Sequence, residues 1–357
     1  MTAAHSQRER DRETFLRAAG WGRAERRLLA ADASFRRYDR LKRGSLSAVL
    51  MDAPPDKEPG APFLKVAATL REMGLSAPRV LAADTASGFV LLEDLGDTTF
   101  TRVLAEGADE ATIYRLAIDL LVALQQRWQP RYAAQLPPYD EASLLAEARL
   151  LVDWYLPAVA GRPTEPAVVA SYLQAWRGVL TEVAASREVL VLRDYHADNL
   201  MCLPNRCGVA ACGLLDFQDA LVGPAVYDLA SLLEDARRDI APDLADAMRQ
   251  RWQEALPERD PAADAAAYAC LGVQRSAKIA GIFTRLDRRD GKSRYLAHLP
   301  RVFRLIRQGL AEPALAPVAA WFDRHLPLAD PALPQPDPGR GVPQRELAQK
   351  AQKRRPS

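Results

Sequence analysis

An α+β fold in two parts is predicted by three features of this 357-residue chain. Short apolar runs punctuated by Pro and Gly occupy the chain up to Leu92, a helical period takes over beyond Gly96, and strand-like segments return between Val189 and Ala220. A composition of 48% hydrophobic and 26% charged residues is ordinary for a globular protein, and a chain of this length buries a large core.

After a charged opening helix, strands are expected around Ser34–Leu41, Ser47–Met51, Arg79–Ala83 and Phe89–Leu92, with a helix over Ala61–Met73 between the second and third. This is an antiparallel sheet with one inserted helix, and Glu93–Gly96 reads as a hinge. Within Asp109–Trp128, Ile113, Leu116, Leu120, Leu121 and Leu124 share one face of a helix. Further helices are expected at Glu141–Trp154, Pro166–Ala185, Ala225–Arg237, Pro242–Leu256 and Ala262–Leu286, with Pro224 just before the third of these, where its missing N–H costs nothing. From Leu328 the sequence turns to Pro, Gln, Gly and Arg without an apolar period, the composition of a disordered tail. The expected division is therefore 1–96, 97–327 and a tail over 328–357.

Several function classes are disfavoured. A formal net charge of +2 gives no general attraction to nucleic acid or to an anionic membrane. The opening MTAAHSQRERDRETF has charges of both signs and no apolar stretch of a secretory signal, and no run of about eighteen apolar residues suggests a membrane span. A cytoplasmic protein, monomeric by default, is the expectation. Cys202, Cys207 and Cys212 recur at intervals of five, unlike the C-x2-C pairs of zinc sites, and no His lies among them, so reduced structural thiols are expected.

Chemistry concentrates in VLVLRDYHADNLMCLPNRCGVAACGLLDFQDA, residues 189–220. Asp194 precedes Asn199 by five residues in a loop entered from an apolar run, and Asp216 stands where the next apolar run stops. This is the layout of phosphoryl transfer: the first Asp accepts a proton from a substrate hydroxyl, while the Asn oxygen and the second Asp hold the Mg²⁺ that bridges nucleotide phosphates. Such hard oxygen ligands suit Mg²⁺. An isolated Asp-x4-Asn is common in turns. The flanking runs are what make this one specific.

The arrangement resembles the aminoglycoside phosphotransferase and choline kinase superfamily, whose fold is bilobal and protein-kinase-like, with a small mixed N-terminal lobe and a larger helical C-terminal lobe. The resemblance implies ATP and Mg²⁺, Asp194 as catalytic Asp, Asn199 and Asp216 as metal ligands, and Asp228, in GPAVYDLASLL, as a structural brace of the catalytic loop. DASFRRY (32–38), VLMDAPP (49–55), APRVLAAD (77–84), GFVLLEDLG (88–96), LPPYDEA (136–142) and LLDFQDALVGPAVYDLASLLEDARRD (214–239) are similar, more closely, to the bacterial anomeric kinases of cell-wall recycling. Those enzymes phosphorylate N-acetylmuramate and N-acetylglucosamine at C1, which implies a small amino sugar as substrate and a place in peptidoglycan recycling.

The same resemblance places the nucleotide between the lobes, against the hinge with Glu93 and Leu95 and under the Asp32–Tyr38 turn with Ala33 and Ser34. Two departures stand out. The strand Ser47–Met51 lacks the superfamily's phosphate-pairing Lys, leaving Arg36, Arg37, Lys42 and Lys65 as available cations. Arg36 or Arg37 substitutes from the turn, or both are solvated strand residues. The turn also lacks glycine, so Ala33 and Ser34 must allow any close approach to phosphate. In addition, Leu192 stands where the superfamily usually has a loop-propping His. Tyr195, His196, Gln218 and Asp219 are weak sugar-contact candidates, His196 and Asp198 reading equally as loop residues. Trp154, Tyr155, Trp176 and Trp252 are stacking surfaces or core. Other small-alcohol kinases of the superfamily (aminoglycoside, choline or homoserine type), or a nucleotide-binding regulator without catalysis, are the alternatives.

Overall fold

The computed structural model describes residues 3–30, 36–328 and 332–334. Nearly all of the tail expected from Leu328 thus lies outside the described residues. By compactness the chain divides into two units, one of Met1–Pro138, Arg187–Leu233 and Ala241–Arg259, the other of Tyr139–Ser186, Glu234–Ile240 and Asp260–Ser357. This differs from the division expected at Gly96. The reason is backbone pairing: Ser76 bridges to Gly213 and Thr99 to Met201, so the segments carrying the Asp-rich loops pair with the stretches that flank the end of the N-terminal sheet.

The first unit opens with helix α1 (Ala3–Ala18) and a sheet of β1 (Glu25–Ala30), β2 (Arg37–Arg43), β3 (Leu46–Asp52), β4 (Val80–Asp84) and β5 (Phe89–Glu93), interrupted by α2 (Ala61–Glu72). The strand order is β1-β2-β3-β5-β4, antiparallel at each step. Central strands β3 and β5 read as continuous apolar runs because both of their faces are covered. Edge strand β1 was not expected from the sequence. Its ERRLLA shows no apolar alternation, since Leu28 and Leu29 remain 52% and 41% exposed. Gly88, at φ 73°, closes the β4–β5 turn where a Cβ would stand 1.9 Å from the Ala53 carbonyl oxygen, so no other residue fits.

Helix α1 covers the outer face of the sheet. Phe15, Leu16 and Trp21 pack with Leu41, Ala48, Leu50, Phe89 and Leu91, and the Phe15 and Phe89 rings stack at 5.8 Å. Charge follows the same contact: buried Arg12 lies 3.2 Å from the Asp52 carboxylate at the end of β3, and Arg8 Nε donates to it at 2.8 Å. Helices α3 (Phe100–Ala105) and α4 (Glu110–Arg127) follow the hinge. Asp109 caps α4 by accepting from Thr112 N at 2.9 Å, and Leu120, Leu121 and Leu124 are buried as their period predicts.

In the second unit the 30-residue helix Pro261–Asp290 is central, flanked by Glu141–Ala148, Pro166–Ala185, Leu299–Gly309 and Ala316–His325. Pro166–Ala185 matches its sequence prediction at both ends. The expected Glu141–Trp154 helix is α-helical over Glu141–Ala148 and widens to a π-helical turn over Leu151–Tyr155 before continuing as Leu156–Ala160. Lys278 is buried in this unit because Glu147 lies 3.0 Å away and neutralises it.

Leu50, fully buried under α1, should lose about 2–5 kcal/mol of stability on change to Ala, whereas Leu28→Ala on the exposed edge should change it by less than about 0.5 kcal/mol. Urea denaturation of the two variants checks this; equal midpoints would remove α1 docking as a source of stability.

Candidate active site

Two small two-stranded sheets carry the site. Strand β6 (Val189–Val191) pairs with β9 (Leu221–Gly223), and β7 (Leu200–Cys202) with β8 (Cys212–Leu214), all antiparallel. The loop 192–199 joins β6 to β7, and Asp216 follows β8. Cys202 and Cys212 are cross-strand partners on β7 and β8, and Cys207 is exposed in the turn region between them. Gly213 sits in β8 where a Cβ would press on Leu203 and Met201 at 3.0 Å and on Leu95 at 3.2 Å. That close approach seats the hinge residue Leu95 on the hairpin that leads to Asp216.

Among the described residues, Arg193 (φ 70°) and Asp216 (φ 56°) are the non-glycine positions with left-handed backbone, a conformation costing about 1–3 kcal/mol that persists where the surroundings impose it. Asp228, in the helix Tyr227–Leu233, imposes it at Arg193. Its buried carboxylate accepts the N–H of Leu192 at 2.6 Å and of Arg193 at 2.9 Å, and Ser231 Oγ donates to the Arg193 carbonyl at 3.2 Å. The loop turns tightly, Asp194 N donating to Leu192 O at 2.9 Å. Leu192, in place of the superfamily's His, is buried and held by its backbone, so this loop is propped from Asp228.

Asn199 Nδ2 donates to the Asp194 carbonyl at 3.0 Å. A carbonyl only accepts, so this bond fixes which end of the amide faces the loop and leaves Oδ1 as the outward oxygen donor. Asp216 remains open to solvent, yet enough protein surrounds it that desolvation pushes its carboxyl above the usual aspartate range. Gln218 opposes this through a 2.8 Å hydrogen bond, the charge of Asp194 adds to it, Arg36 opposes it and Asp219 adds to it. Carboxylates and an amide oxygen are the donor types that a hard cation prefers, and Mg²⁺ is characteristically held by one or two carboxylates with phosphates and waters completing its shell. Among the described residues no group of three or more His, Cys, Asp or Glu side chains is placed to hold a metal ion by itself.

The remaining predicted residues fall into two groups. Arg36 and Asp219 lie close enough to Asp216 to act on its charge. Tyr195 does not reach a substrate: it is buried and its hydroxyl donates to Ala117 O on α4 at 2.8 Å, which corrects its reading as a sugar contact. Gln218 is likewise buried, and its amide steadies Asp216. His196 is buried beside Asn199, Nε2 to Nδ2 3.4 Å, and Asp198 accepts from Thr101 Oγ1 at 2.5 Å, so both serve the loop. Arg37 pairs with Asp39 at 3.0 Å, and Lys42 and Lys65 are exposed. Ala33 and Ser34 lie outside the described residues.

Glu93 is a tether. Its carboxylate meets Arg206 at 2.6 Å and Arg79 at 3.5 Å, and its N–H donates to Arg79 O at 2.8 Å, so neither group is directed to a nucleotide. Of the four aromatics left open by the sequence, Tyr155, Trp176 and Trp252 are core. Sequence reading missed Arg40, which fastens the hinge: Nε lies 2.8 Å from Asp94, Nη1 2.6 Å from Asp97, and Nη2 donates to Gly96 O at 3.0 Å. The only local signal was the charge alternation of RRYDRLKR, which does not say what the charges meet.

A phosphotransferase is the class that this loop geometry and fold define. The sequence matches the phosphotransferase enzyme family over residues 25–264, and the chain belongs to that family. It is 39% identical to the N-acetylmuramate/N-acetylglucosamine kinase of Caulobacter vibrioides, over 90% of this chain and 98% of that one. With the protein of the same name from Pseudomonas aeruginosa it shares 40% identity, covering 84% and 89%. Among solved structures, an ethanolamine kinase of Plasmodium vivax superposes with a TM-score of 0.59 at 10% identity, covering 80% of this chain and 84% of that one. An ADP-bound aminoglycoside phosphotransferase gives 0.56 at 14%, covering 84% and 99%. At such identities the likeness is one of fold, and it is the protein-kinase-like fold expected from the sequence.

Asp228→Ala should leave two buried N–H groups without an acceptor, at about 1–3 kcal/mol each, and release the loop that carries Asp194. A lower urea midpoint together with a fall in kcat is expected; an unchanged kcat would separate the brace from catalysis.

Proposed function

We propose that this chain transfers the γ-phosphoryl group of ATP to the anomeric C1 hydroxyl of N-acetylmuramate or N-acetylglucosamine, as a step of peptidoglycan recycling in the cytoplasm. The observation that carries this reading is sustained similarity: four relatives bearing that kinase name are 36–40% identical over 78–90% of this chain. Aminoglycoside and choline or ethanolamine kinases share the fold alone, at 10–15% identity. Asp194, Asn199 and Asp216 are all present, which favours an active enzyme over a silent nucleotide binder.

In the mechanism, Asp194 orients the sugar hydroxyl and accepts its proton while the oxygen attacks the γ-phosphorus in line and ADP leaves. The anomeric hydroxyl suits a carboxylate base, because the adjacent ring oxygen withdraws charge and makes it more acidic than other sugar hydroxyls. Asn199 Oδ1 and Asp216 would hold Mg²⁺, which when bound neutralises charge on the nucleotide phosphates. Asp228 holds the loop strained in place, so little reorganisation is left for the reaction itself. The acceptor is a small molecule and a monomer suffices for this chemistry. No described helix is long and apolar enough to cross a membrane.

Asp194→Asn should lower kcat by roughly a hundredfold or more, leaving Mg·ATP affinity largely intact, whereas Asp216→Ala should weaken Mg·ATP binding itself. Steady-state kinetics with titration calorimetry distinguishes them, and wild-type turnover in Asp194→Asn would remove that residue from the mechanism.

The regiochemistry has its own test. With Mg·ATP and either amino sugar, the product should release phosphate in mild acid, since departure from C1 leaves a ring-oxygen-stabilised cation of the kind glycosidases exploit. The 1-deoxy sugar should be inert. An acid-stable product, or turnover of the 1-deoxy sugar, would reject anomeric transfer, and activity confined to an aminoglycoside or amino alcohol would reject the substrate class.

A further inference from the structure

In protein kinases a Lys on the third strand meets the nucleotide phosphates and is held by a Glu of the following helix. Strand β3, LSAVLMD, carries no cation, and its terminal carboxylate, Asp52, is engaged by Arg8 and Arg12 of α1. A cation stands nevertheless at the entrance to the neighbouring strand, β2. Residues of a strand alternate between its faces, and on β2 the two faces are occupied very differently. Leu41 packs into the core under α1, and Arg37 and Asp39, on the same face, pair with each other at 3.0 Å. Tyr38 and Arg40 take the opposite face, in register with Met51 and Val49 of β3. Arg36, which immediately precedes β2, is on the side of Tyr38 and hydrogen-bonds its phenol.

The Arg36 guanidinium lies 2.8 Å from the carboxylate of Glu58, just ahead of α2, and the two side chains are only 10% and 17% exposed. Helix α2 is in turn fixed against the metal-binding segment, because Phe63 stacks on Phe217, the neighbour of Asp216, with ring centroids 5.0 Å apart. The guanidinium is therefore held by Glu58 ahead of the helix that packs on Phe217, and its charge reaches Asp216.

We propose that Arg36, held by Glu58, is the phosphate-binding cation of this chain, taking from β2 the role that kinases give to a Lys on the third strand. This rests on the kinase reading above. A guanidinium suits the substitution: it stays charged at any working pH and presents a planar fork of donors matched to phosphate oxygens. Glu58 is a positioning residue, holding the fork without touching the nucleotide.

Titration calorimetry on the full chain, with Mg·ATP and adenosine as separate ligands, tests the assignment. Arg36→Ala and Arg36→Gln should each weaken Mg·ATP binding about tenfold to a hundredfold, the worth of hydrogen bonds to a charged group, while adenosine affinity stays within about twofold. Glu58→Gln should weaken Mg·ATP in the same direction by less, raising the ATP KM more than it lowers kcat. Arg37→Ala, on the far face of β2, should bind both ligands as wild type does. Should the Ala variant misfold, the Gln variant decides, since it preserves bulk and donors without charge. Wild-type Mg·ATP affinity in Arg36→Gln, or an equal loss of ATP and adenosine, would overturn the proposal while leaving the kinase reading intact. A wild-type protein that binds no Mg·ATP would defeat both.

Discussion

Two backbone N–H groups, those of Leu192 and Arg193, end on the single buried carboxylate of Asp228, and the geometry of the catalytic loop depends on them. Arg193 adopts a left-handed backbone that an unsupported loop would abandon. The turn it makes places Asp194 after strand β6, and the Asp194 carbonyl then orients the Asn199 amide. One carboxylate on a short buried helix thus sets the turn that carries Asp194 and, through the Asp194 carbonyl, the orientation of the Asn199 amide. The absence of the superfamily's His at Leu192 is consistent with this, because the support comes through backbone hydrogen bonds and needs no side chain there.

The second constraint is electrostatic. The charges of Asp194 and Asp219 both act on Asp216, and the protein around Asp216 deprives it of part of its hydration. Such a cluster favours whatever brings positive charge, which is the condition for recruiting a divalent cation with a polyphosphate. Arg36 and the Gln218 amide temper the repulsion before any ligand arrives.

Charged side chains hold the first unit together at functionally placed joints. Arg40 binds Asp94, Asp97 and the Gly96 carbonyl, setting the hinge against β2. Arg206, from the turn between β7 and β8, meets Glu93 at the end of β5. Leu95 against Gly213 adds an apolar contact between hinge and hairpin. The stretch that follows the sheet and the hairpin that precedes Asp216 are therefore braced together.

Some of this could be read directly from the chain. Asp194, Asn199 and Asp216 lie within 23 residues in order, flanked by apolar runs, and that spacing is what pointed to a phosphotransferase. Helices Pro166–Ala185 and Glu110–Arg127 followed from apolar period and end signals, because period and caps are local properties. Tertiary structure decided what depends on distant neighbours. Arg36 and Arg37 are adjacent and chemically identical, and α1 docking on one face of β2 is what assigns them opposite surroundings. Glu58 carries no motif and is defined by its partner, while β1 is a strand only because β2 pairs with it. Tyr195 and Gln218 looked like substrate contacts by proximity in sequence, yet adjacent residues of a loop point in different directions, and these two point into the protein. Local periodicity and covalent spacing are written in sequence order; the environment of a side chain is set by segments far along the chain, and only their packing reveals it.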